Sequence, residues 1–225
     1  MAVGRPARLS RDSLVDAAES IVATDGIDAL TMRRLADELG SSPMSLYRHV
    51  RDKDELLLLL IERRAAELEL PPLPSDARER LVTLFVLLFD SLSRSPWIVE
   101  VLAKGDLVAP SLLPVIDRIL EAFVAAGLSG EEAGRAYHVA WRYTVGELTV
   151  RHSTERHFAQ LDREPLLVRI MAEIDPAELP SLADLRLELA AGRRDARYED
   201  GIGAVIDGLL RLTCSAPTTG GDPSA

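Results

Sequence analysis

The sequence has a single cysteine, Cys214, few aromatic side chains and no long apolar run in its 225 residues. A single cysteine excludes a disulfide framework and a cysteine-rich zinc site. Apolar stretches such as Leu56 to Ile61 are far too short to span a bilayer. The arginines near the N-terminus are not followed by the apolar run of a signal peptide. These features predict a soluble, cytoplasmic protein without a membrane partner.

The sequence also has no excess of basic residues. It contains 26 Lys and Arg and 36 Asp and Glu, which gives a net charge of −10. Taken over the whole chain, this charge argues against nucleic-acid binding. However, residues 1–53 carry as many basic as acidic side chains, so the negative charge belongs to the remainder. Within this neutral region, the arm ending at Arg11 and the stretch 33–53 are both net positive. The charge therefore limits where a polyanion can bind and does not exclude one.

No segment shows the two-residue apolar alternation of a strand, whereas helical spacing recurs throughout, so we expect an all-α fold. A three-helix helix-turn-helix domain is predicted for residues 1–56, a larger helical domain for 57–214, and a disordered tail for 215–225. The predicted helices begin with one capped by Ser10 and continue along the chain. They cover residues 10–25, 31–39, 43–49, 53–70, 76–93, 97–104, 111–126, 131–157, 163–174 and 196–213.

The segment from Leu30 to Val50 predicts a helix-turn-helix, since Gly40 separates two short helices. The second helix would begin with the small or polar side chains that meet base edges in such motifs, here Ser42, Pro43, Met44 and Ser45. Leu46 and Val50 would face the core. Tyr47, Arg48 and His49 would then point outward, where each can donate to a phosphate. A helical hairpin with a glycine turn also occurs in proteins that do not bind DNA, so this alternative remains open.

Residues 10–70 resemble the DNA-binding domain of TetR-family (tetracycline-repressor-like) transcriptional regulators. The resemblance rests on the first-helix stripe ending at Gly26, on Leu30 to Ala36, and on Leu46 to Val50 followed by Lys53. Ser41 departs from the family pattern, which has a hydrophobic residue there. Arg5, Arg8 and Arg11 form a basic arm that could reach DNA or remain in solvent. The DNA contacts that the resemblance implies are Arg33, Ser42, Ser45, Tyr47, Arg48, His49 and Lys53, of which Arg48 stands at a variable family position.

The C-terminal two-thirds is similar to the ligand-binding and dimerisation domain of the tetracycline-repressor subgroup, in segments such as 96–100, 126–133 and 198–210. The helix at 131–157 is apolar on more than one side, which is typical of a helix buried on two faces. With the helix at 196–213 it predicts a four-helix bundle between two copies of the chain. The glycines that would permit close helix approach are Gly134, Gly146, Gly201, Gly203 and Gly208.

An aromatic cluster in this region predicts a site for a small, largely apolar effector, because ligand sites are mostly apolar with a few polar groups. Any one of these aromatics could instead only fill the core. The predicted lining residues are Phe85, Phe89, Trp97, Leu102, Tyr137, His138, Trp141 and Arg142. No metal or cofactor is expected, since His152 and His157 do not share a helical face.

The sequence as a whole predicts a ligand-responsive transcriptional regulator, most simply a repressor that binds a palindromic operator as a homodimer and is released by a small-molecule effector. Two alternatives stay open: a helical binding module that does not bind DNA, and a small all-α enzyme. No nucleophile elbow or phosphate loop supports an enzyme. Cys214, beside the tail, is poorly placed to act as a nucleophile.

Overall fold

The structure is a computed structural model that describes residues 9–102, 108–159, 166–183 and 197–213. These residues form helices and connecting turns without a strand, which confirms the all-α prediction. The helices are α1 (Arg11–Asp25), α2 (Met32–Glu38), α3 (Pro43–Leu46), α4 (Lys53–Ala66), α5 (Ala77–Ser93), α6 (Pro96–Leu102), α7 (Leu113–Ala125), α8 (Gly130–Ala159), α9 (Leu166–Ala172) and α10 (Tyr198–Thr213). The predicted tail lies outside the described residues.

The chain divides into two compact units. The first comprises Met1–Pro71 with Arg94–Asp117, and the second comprises Pro72–Ser93 with Arg118–Ala225. The predicted domain boundary at residue 56 falls inside α4, and the first unit also takes in residues 94–117. The functional division between 1–56 and 57–214 stays a prediction.

The first unit has a core to which α1 contributes the apolar side chains that its helical periodicity predicts. Ser10 caps α1 as expected: its Oγ accepts from the Ser13 backbone N at 3.1 Å, and the Ser13 hydroxyl accepts in return from the Ser10 N at 2.9 Å. This reciprocal capping satisfies two backbone donors that the first helical turn leaves unpaired. The side chains that α1, α2, α3 and α4 contribute to the core include Leu14, Ala18, Ile21, Leu35, Leu46, Leu56 and Leu60.

Proline sets two helix boundaries that differ from those predicted. Helix α4 ends at Ala66 and not at Leu70, because Pro71 cannot donate to the carbonyl four residues before it and disfavours helix in its predecessor. The predicted helix 111–126 is a 3₁₀ turn, Pro110–Leu112, followed by α7. Pro114 has no N–H for the Pro110 carbonyl, so an α-helix cannot run through this point.

The predicted helix 43–49 is also shorter in the structure, whereas the end of the predicted helix 97–104 lies outside the described residues. Helix α3 ends at Leu46, after which the His49 N donates to the Leu46 carbonyl at 2.8 Å in a tighter turn. Helix α6 begins at Pro96 and its last described residue is Leu102. Among the described helices, none is by itself long and apolar enough to span a bilayer, and α5 and α6 meet that test only as a bent pair.

The second unit has a core in which α5, α8 and α10 pack against one another. Helix α8 contributes a stripe at every fourth residue, Ala136, Ala140, Thr144 and Leu148, so the buried side chains described for this helix lie on one side of it. Helix α10 contributes Tyr198, Ile202 and Ile206 by the same spacing.

Candidate nucleic-acid interface and ligand site

The turn between α2 and α3 is fixed by backbone hydrogen bonds around Gly40. The Thr31 Oγ1 caps α2 by accepting from the Arg34 N at 3.1 Å. At the other end, the Ser41 N donates to the Ala36 carbonyl at 2.9 Å and the Gly40 N to the Asp37 carbonyl at 3.1 Å. This pairing is a Schellman motif, and it places Gly40 at a φ of 57°, which glycine adopts without strain. The glycine signal in the sequence thus marks the turn correctly.

One side of helix α3 packs against the core of the first unit, and the other side is exposed to solvent. Leu46 and Val50 are buried, as predicted, whereas Ser42 and Arg48 are exposed and Ser45 and His49 are half-buried. The Ser42 and Ser45 hydroxyl oxygens lie 2.9 Å apart and share a hydrogen bond. Met44 and Tyr47 are exposed by 74% and 47%. The surface of α3 therefore combines hydroxyl groups with two large side chains that have an apolar body.

The cations around α3 fall into two groups that the sequence could not separate. Arg33, Arg48 and Lys53 form no ion pair with any residue that the structure describes. The other three cations of residues 9–53 are paired with carboxylates: Arg34 with Asp25, and both Arg11 and Arg51 with Glu55. The three free cations are all among the predicted DNA contacts. A cation without a carboxylate partner can bind a phosphate without first breaking an ion pair.

Glu55 organises the loop that follows α3. Its carboxylate accepts from the Arg51 backbone N at 2.7 Å and from the Arg11 Nη2 at 3.0 Å, and the Arg11 Nε donates to the His49 carbonyl at 3.0 Å. The hydrogen bond from the Arg51 backbone lowers the pKa of the Glu55 carboxyl below its ordinary value, and the nearby guanidinium groups act in the same direction. Residues 49–51 are thereby tied to the start of α1 and of α4.

These contacts revise the role of Arg11 that the sequence suggested. The sequence predicts that Arg11 belongs to a basic arm with Arg5 and Arg8, but Arg11 lies in the first turn of α1 and braces the loop after α3. Arg5 and Arg8 lie outside the described residues. Sequence reasoning missed Arg11 and Glu55 as bracing residues, because they are 44 positions apart and follow no local pattern.

The second unit contains a column of stacked aromatic rings. The Phe89 and Tyr198 rings are parallel with centroids 3.9 Å apart, and the Tyr143 ring stacks on Tyr198 with centroids 5.9 Å apart. The Arg151 guanidinium lies 4.8 Å from the Phe89 centroid. The Thr144 hydroxyl lies 2.6 Å from the Tyr198 hydroxyl, so the buried phenol has a partner. Burial raises the pKa of the Tyr198 phenol above its ordinary value, which keeps it neutral.

Two family models match most of the chain. Residues 14–60 match bacterial regulatory proteins of the tetR family, and residues 70–213 match the tetracyclin repressor-like C-terminal domain. The chain belongs to the TetR family. Regulators of this family bind operator DNA and small-molecule ligands, typically as dimers. This TetR-family chain is accordingly a ligand-responsive, DNA-binding transcriptional repressor.

Named relatives agree with this assignment along the length of the chain. The HTH-type transcriptional repressor DrrR1 of Streptomyces coeruleorubidus is 30% identical over 222 residues, which cover 91% of this chain and 80% of DrrR1. Tetracycline repressor protein class D of Escherichia coli is 49% identical over 51 residues, 23% of either chain. The crystal structure of the TetR family protein ActR of Streptomyces coelicolor in complex with actinorhodin has a TM-score of 0.77 at 27% identity, covering 92% of this chain and 97% of ActR. The curated relatives are named as regulators and repressors, which are not enzymes.

The predicted ligand-site residues of this TetR-family chain are distributed over both units. Trp97 and Leu102 belong to the first unit, and the other six belong to the second. In the second unit Phe85 and Phe89 are buried in the core, Tyr137 and Trp141 are half-buried, and His138 and Arg142 are exposed. Their assembly into one ligand site stays a prediction. Within the described part of the chain, no three His, Cys, Asp or Glu side chains could together hold a metal ion.

One of the five glycines expected to allow close helix approach does so clearly. A Cβ on Gly201 of α10 would lie 1.9 Å from the Tyr143 hydroxyl oxygen of α8, so any larger residue would force the Tyr143 side chain to move. A Cβ on Gly203 would be 3.2 Å from the Arg78 guanidinium. At Gly134, Gly146 and Gly208, a Cβ would have no described atom outside its own helix surroundings within 4 Å. These three glycines are thus not needed for packing against the described residues of the same chain.

Proposed function

We propose that this repressor binds a near-palindromic operator as a homodimer and is released when a small effector binds the second unit. Each α3 would enter the major groove, with the two helices about 34–36 Å apart on successive turns of the duplex. The groups in contact with bases or phosphates would be Arg33, Ser42, Ser45, Tyr47, Arg48, His49 and Lys53. The proposal gives no residue a catalytic role, and places the protein in the cytoplasm with its operator.

The observation that carries the proposal is the division of the cations around α3. Arg33, Arg48 and Lys53 have no carboxylate partner among the described residues, although Arg34 and Arg51 beside them do. Free cations beside exposed hydroxyl groups suit a surface that meets both phosphates and base edges.

A comparison of two adjacent arginines tests this interface. The DNA upstream of the protein's own gene is titrated in a gel-shift assay at low salt with the unaltered protein, Arg33→Ala and Arg34→Ala. Loss of a phosphate contact should weaken binding by Arg33→Ala about 10-fold per dimer and flatten its salt dependence. Arg34→Ala is the matched control, because its guanidinium is held by Asp25.

Two results would contradict the proposed interface. One is the absence of any sequence-specific shift with the unaltered protein. The other is equal weakening by Arg33→Ala and Arg34→Ala in proteins that have the same melting temperature.

The proposed homodimer is formed by α8 and α10. On the side of α8 away from its buried stripe, Val139 and Val150 are exposed by 47% and 57%, and they share a helical face with Gly146. Gly208 on α10 also has open space beside its Cα. An exposed apolar stripe with a glycine that packs against no other described element supports close packing of a second copy.

Charge placed in this stripe should separate the dimer. Val139→Glu combined with Val150→Glu is expected to sediment as a monomer at micromolar concentration and to lose operator binding, because burying unpaired carboxylates is costly. Val124→Glu is the control, since Val124 is a valine exposed to a similar extent, 49%, but lies on α7. A double variant that remains dimeric would contradict the assignment of this face.

The proposed effector is a small, largely apolar molecule bound near the aromatic residues of the second unit. Aromatic side chains with a few polar neighbours suit such ligands, and here His138 and Arg142 are exposed beside the half-buried Trp141. Since ActR was solved with actinorhodin, that compound is a suitable first probe. In the Trp97→Phe variant, Trp141 is the remaining tryptophan and reports binding through its fluorescence.

Saturable quenching of Trp141, a raised melting temperature and release of the operator by the same concentration of probe would support this site. Quenching that does not saturate, or binding that is unchanged in Arg142→Ala together with His138→Ala, would contradict it. A wider thermal-shift screen of small molecules then defines the effector class.

A further inference from the structure

Met44 is the most exposed of the large apolar side chains in the part of the chain that the structure describes, at 74%. It lies two residues before the buried Leu46, about 200° around α3, and therefore on the side opposite the core. Tyr47, one turn further on, is the next large side chain on this side. An isolated exposed methionine needs no explanation on most surfaces, but this one stands at the centre of the proposed DNA contacts.

The neighbours of Met44 are polar groups that can read hydrogen-bonding atoms. The Ser42 and Ser45 hydroxyl oxygens, 2.9 Å apart, lie on one side, and the Arg48 guanidinium follows one turn later without an ion pair to any described residue. Met44 has no comparable hydrogen-bonding capacity, since a thioether is a weak acceptor. Its contribution to recognition must therefore come from removing apolar surface from water.

In the major groove, the 5-methyl group of thymine is the apolar feature that base edges present. Methionine is unbranched and polarizable, so its side chain can adapt its shape to such a methyl group. We propose that Met44 reads the 5-methyl group of a thymine in each operator half-site. The inference rests on the proposed function, because it requires α3 to lie in the major groove.

Replacement of thymine by deoxyuridine tests this contact directly. An operator is first selected from a random duplex pool with the unaltered full-length protein. Each thymine of the half-site is then replaced in turn by deoxyuridine, which removes the methyl group and leaves the hydrogen-bonding edges intact. At one position, the dissociation constant should rise about fourfold per half-site, and roughly 15-fold when both half-sites are changed, as expected for the exposure of one buried methyl group.

The variants of Met44 assign that effect to its side chain. Met44→Ala should bind the thymine and deoxyuridine duplexes equally, and Met44→Leu should retain most of the preference because leucine is apolar and of similar volume. Leu70→Ala is the control, since Leu70 is exposed in the same unit but lies after α4. All variants change exposed residues, and their melting temperatures should match that of the parent.

Distinct results would overturn the inference and the proposed function. Selection of no sequence from the pool would overturn the proposed function, and the inference with it. A selected operator without thymine in its half-site, or one insensitive to every thymine-to-deoxyuridine change, overturns the inference alone. So does a Met44→Ala variant that keeps the full preference for thymine.

Discussion

Replacing Gly201 with alanine should destabilise the second unit, although alanine is the better helix former. A Cβ at this position would lie 1.9 Å from the Tyr143 hydroxyl oxygen, far inside van der Waals contact. The phenol would have to move, and a shift of its ring would disturb the stacking on Tyr198, where the centroids are 5.9 Å apart. Overpacking of this kind costs about 1–3 kcal/mol, and loss of an aromatic pair about 0.5–1.5 kcal/mol.

A matched glycine separates this clash from helix propensity. At Gly134 of α8 a Cβ would meet no described atom within 4 Å, so Gly134→Ala should gain up to about 1 kcal/mol from propensity alone. Gly201→Ala gains the same stability from helix propensity but loses stability through the clash with Tyr143. The free energies of unfolding of the two variants should therefore differ by about 1–3 kcal/mol. In a chain of this size each kcal/mol corresponds to roughly 2–4 °C in melting temperature.

The assay is urea and thermal unfolding at one fixed protein concentration, because a dimer's stability depends on concentration. Removing the clashing oxygen with Tyr143→Phe should restore most of the stability lost in Gly201→Ala, and the double-mutant cycle measures that coupling. Equal stability of Gly201→Ala and Gly134→Ala would refute the reasoning, as would a double variant no more stable than Gly201→Ala.

Two further predictions concern polar groups in each unit. Thr144→Val leaves the buried Tyr198 hydroxyl without its partner and should cost about 1–3 kcal/mol in urea unfolding, most of which Tyr198→Phe in the same chain should recover. In the first unit, the Glu55 carboxyl has a pKa below its ordinary 4.5. Its stabilising contribution is therefore present above pH 4.5 and is lost as the pH falls through the folded-state pKa, so unaltered protein should lose more stability than Glu55→Gln between about pH 5 and pH 3.

Local signals in the sequence were sufficient to predict the helix-turn-helix. Thr31, Gly40 and Ser10 act through hydrogen bonds to residues within five positions, and the periodicity of Leu46 and Val50 identifies the buried side of α3. Such interactions are encoded in short windows, so a single sequence reveals them. The ends of α3 and α4 were less predictable, because tight turns and a following proline compete with helix over only a few residues.

The aromatic column shows what could not be predicted. Its rings come from Phe89 of α5, Tyr143 of α8 and Tyr198 of α10, and helical periodicity alone does not reveal which rings face one another. The sequence indicated an aromatic cluster, but it gave Tyr198 only a place in a helical stripe. The need for glycine at position 201 follows from the same packing and has no local signature.

Formal charge likewise overstates the number of cations available to DNA. Residues 9–53 contain six, but only Arg33, Arg48 and Lys53 lack an ion pair among the described residues. If the paired three stay with their carboxylates, a dimer neutralises six phosphates, and the logarithm of affinity should fall with that of salt concentration with a slope of about −5. If all six cations of each chain instead bind phosphates, the dimer neutralises twelve phosphates and the slope should be about −11. Measured by anisotropy in an Arg5→Gln, Arg8→Gln variant, which removes the arm, a slope steeper than about −8 would show that operator DNA breaks these ion pairs.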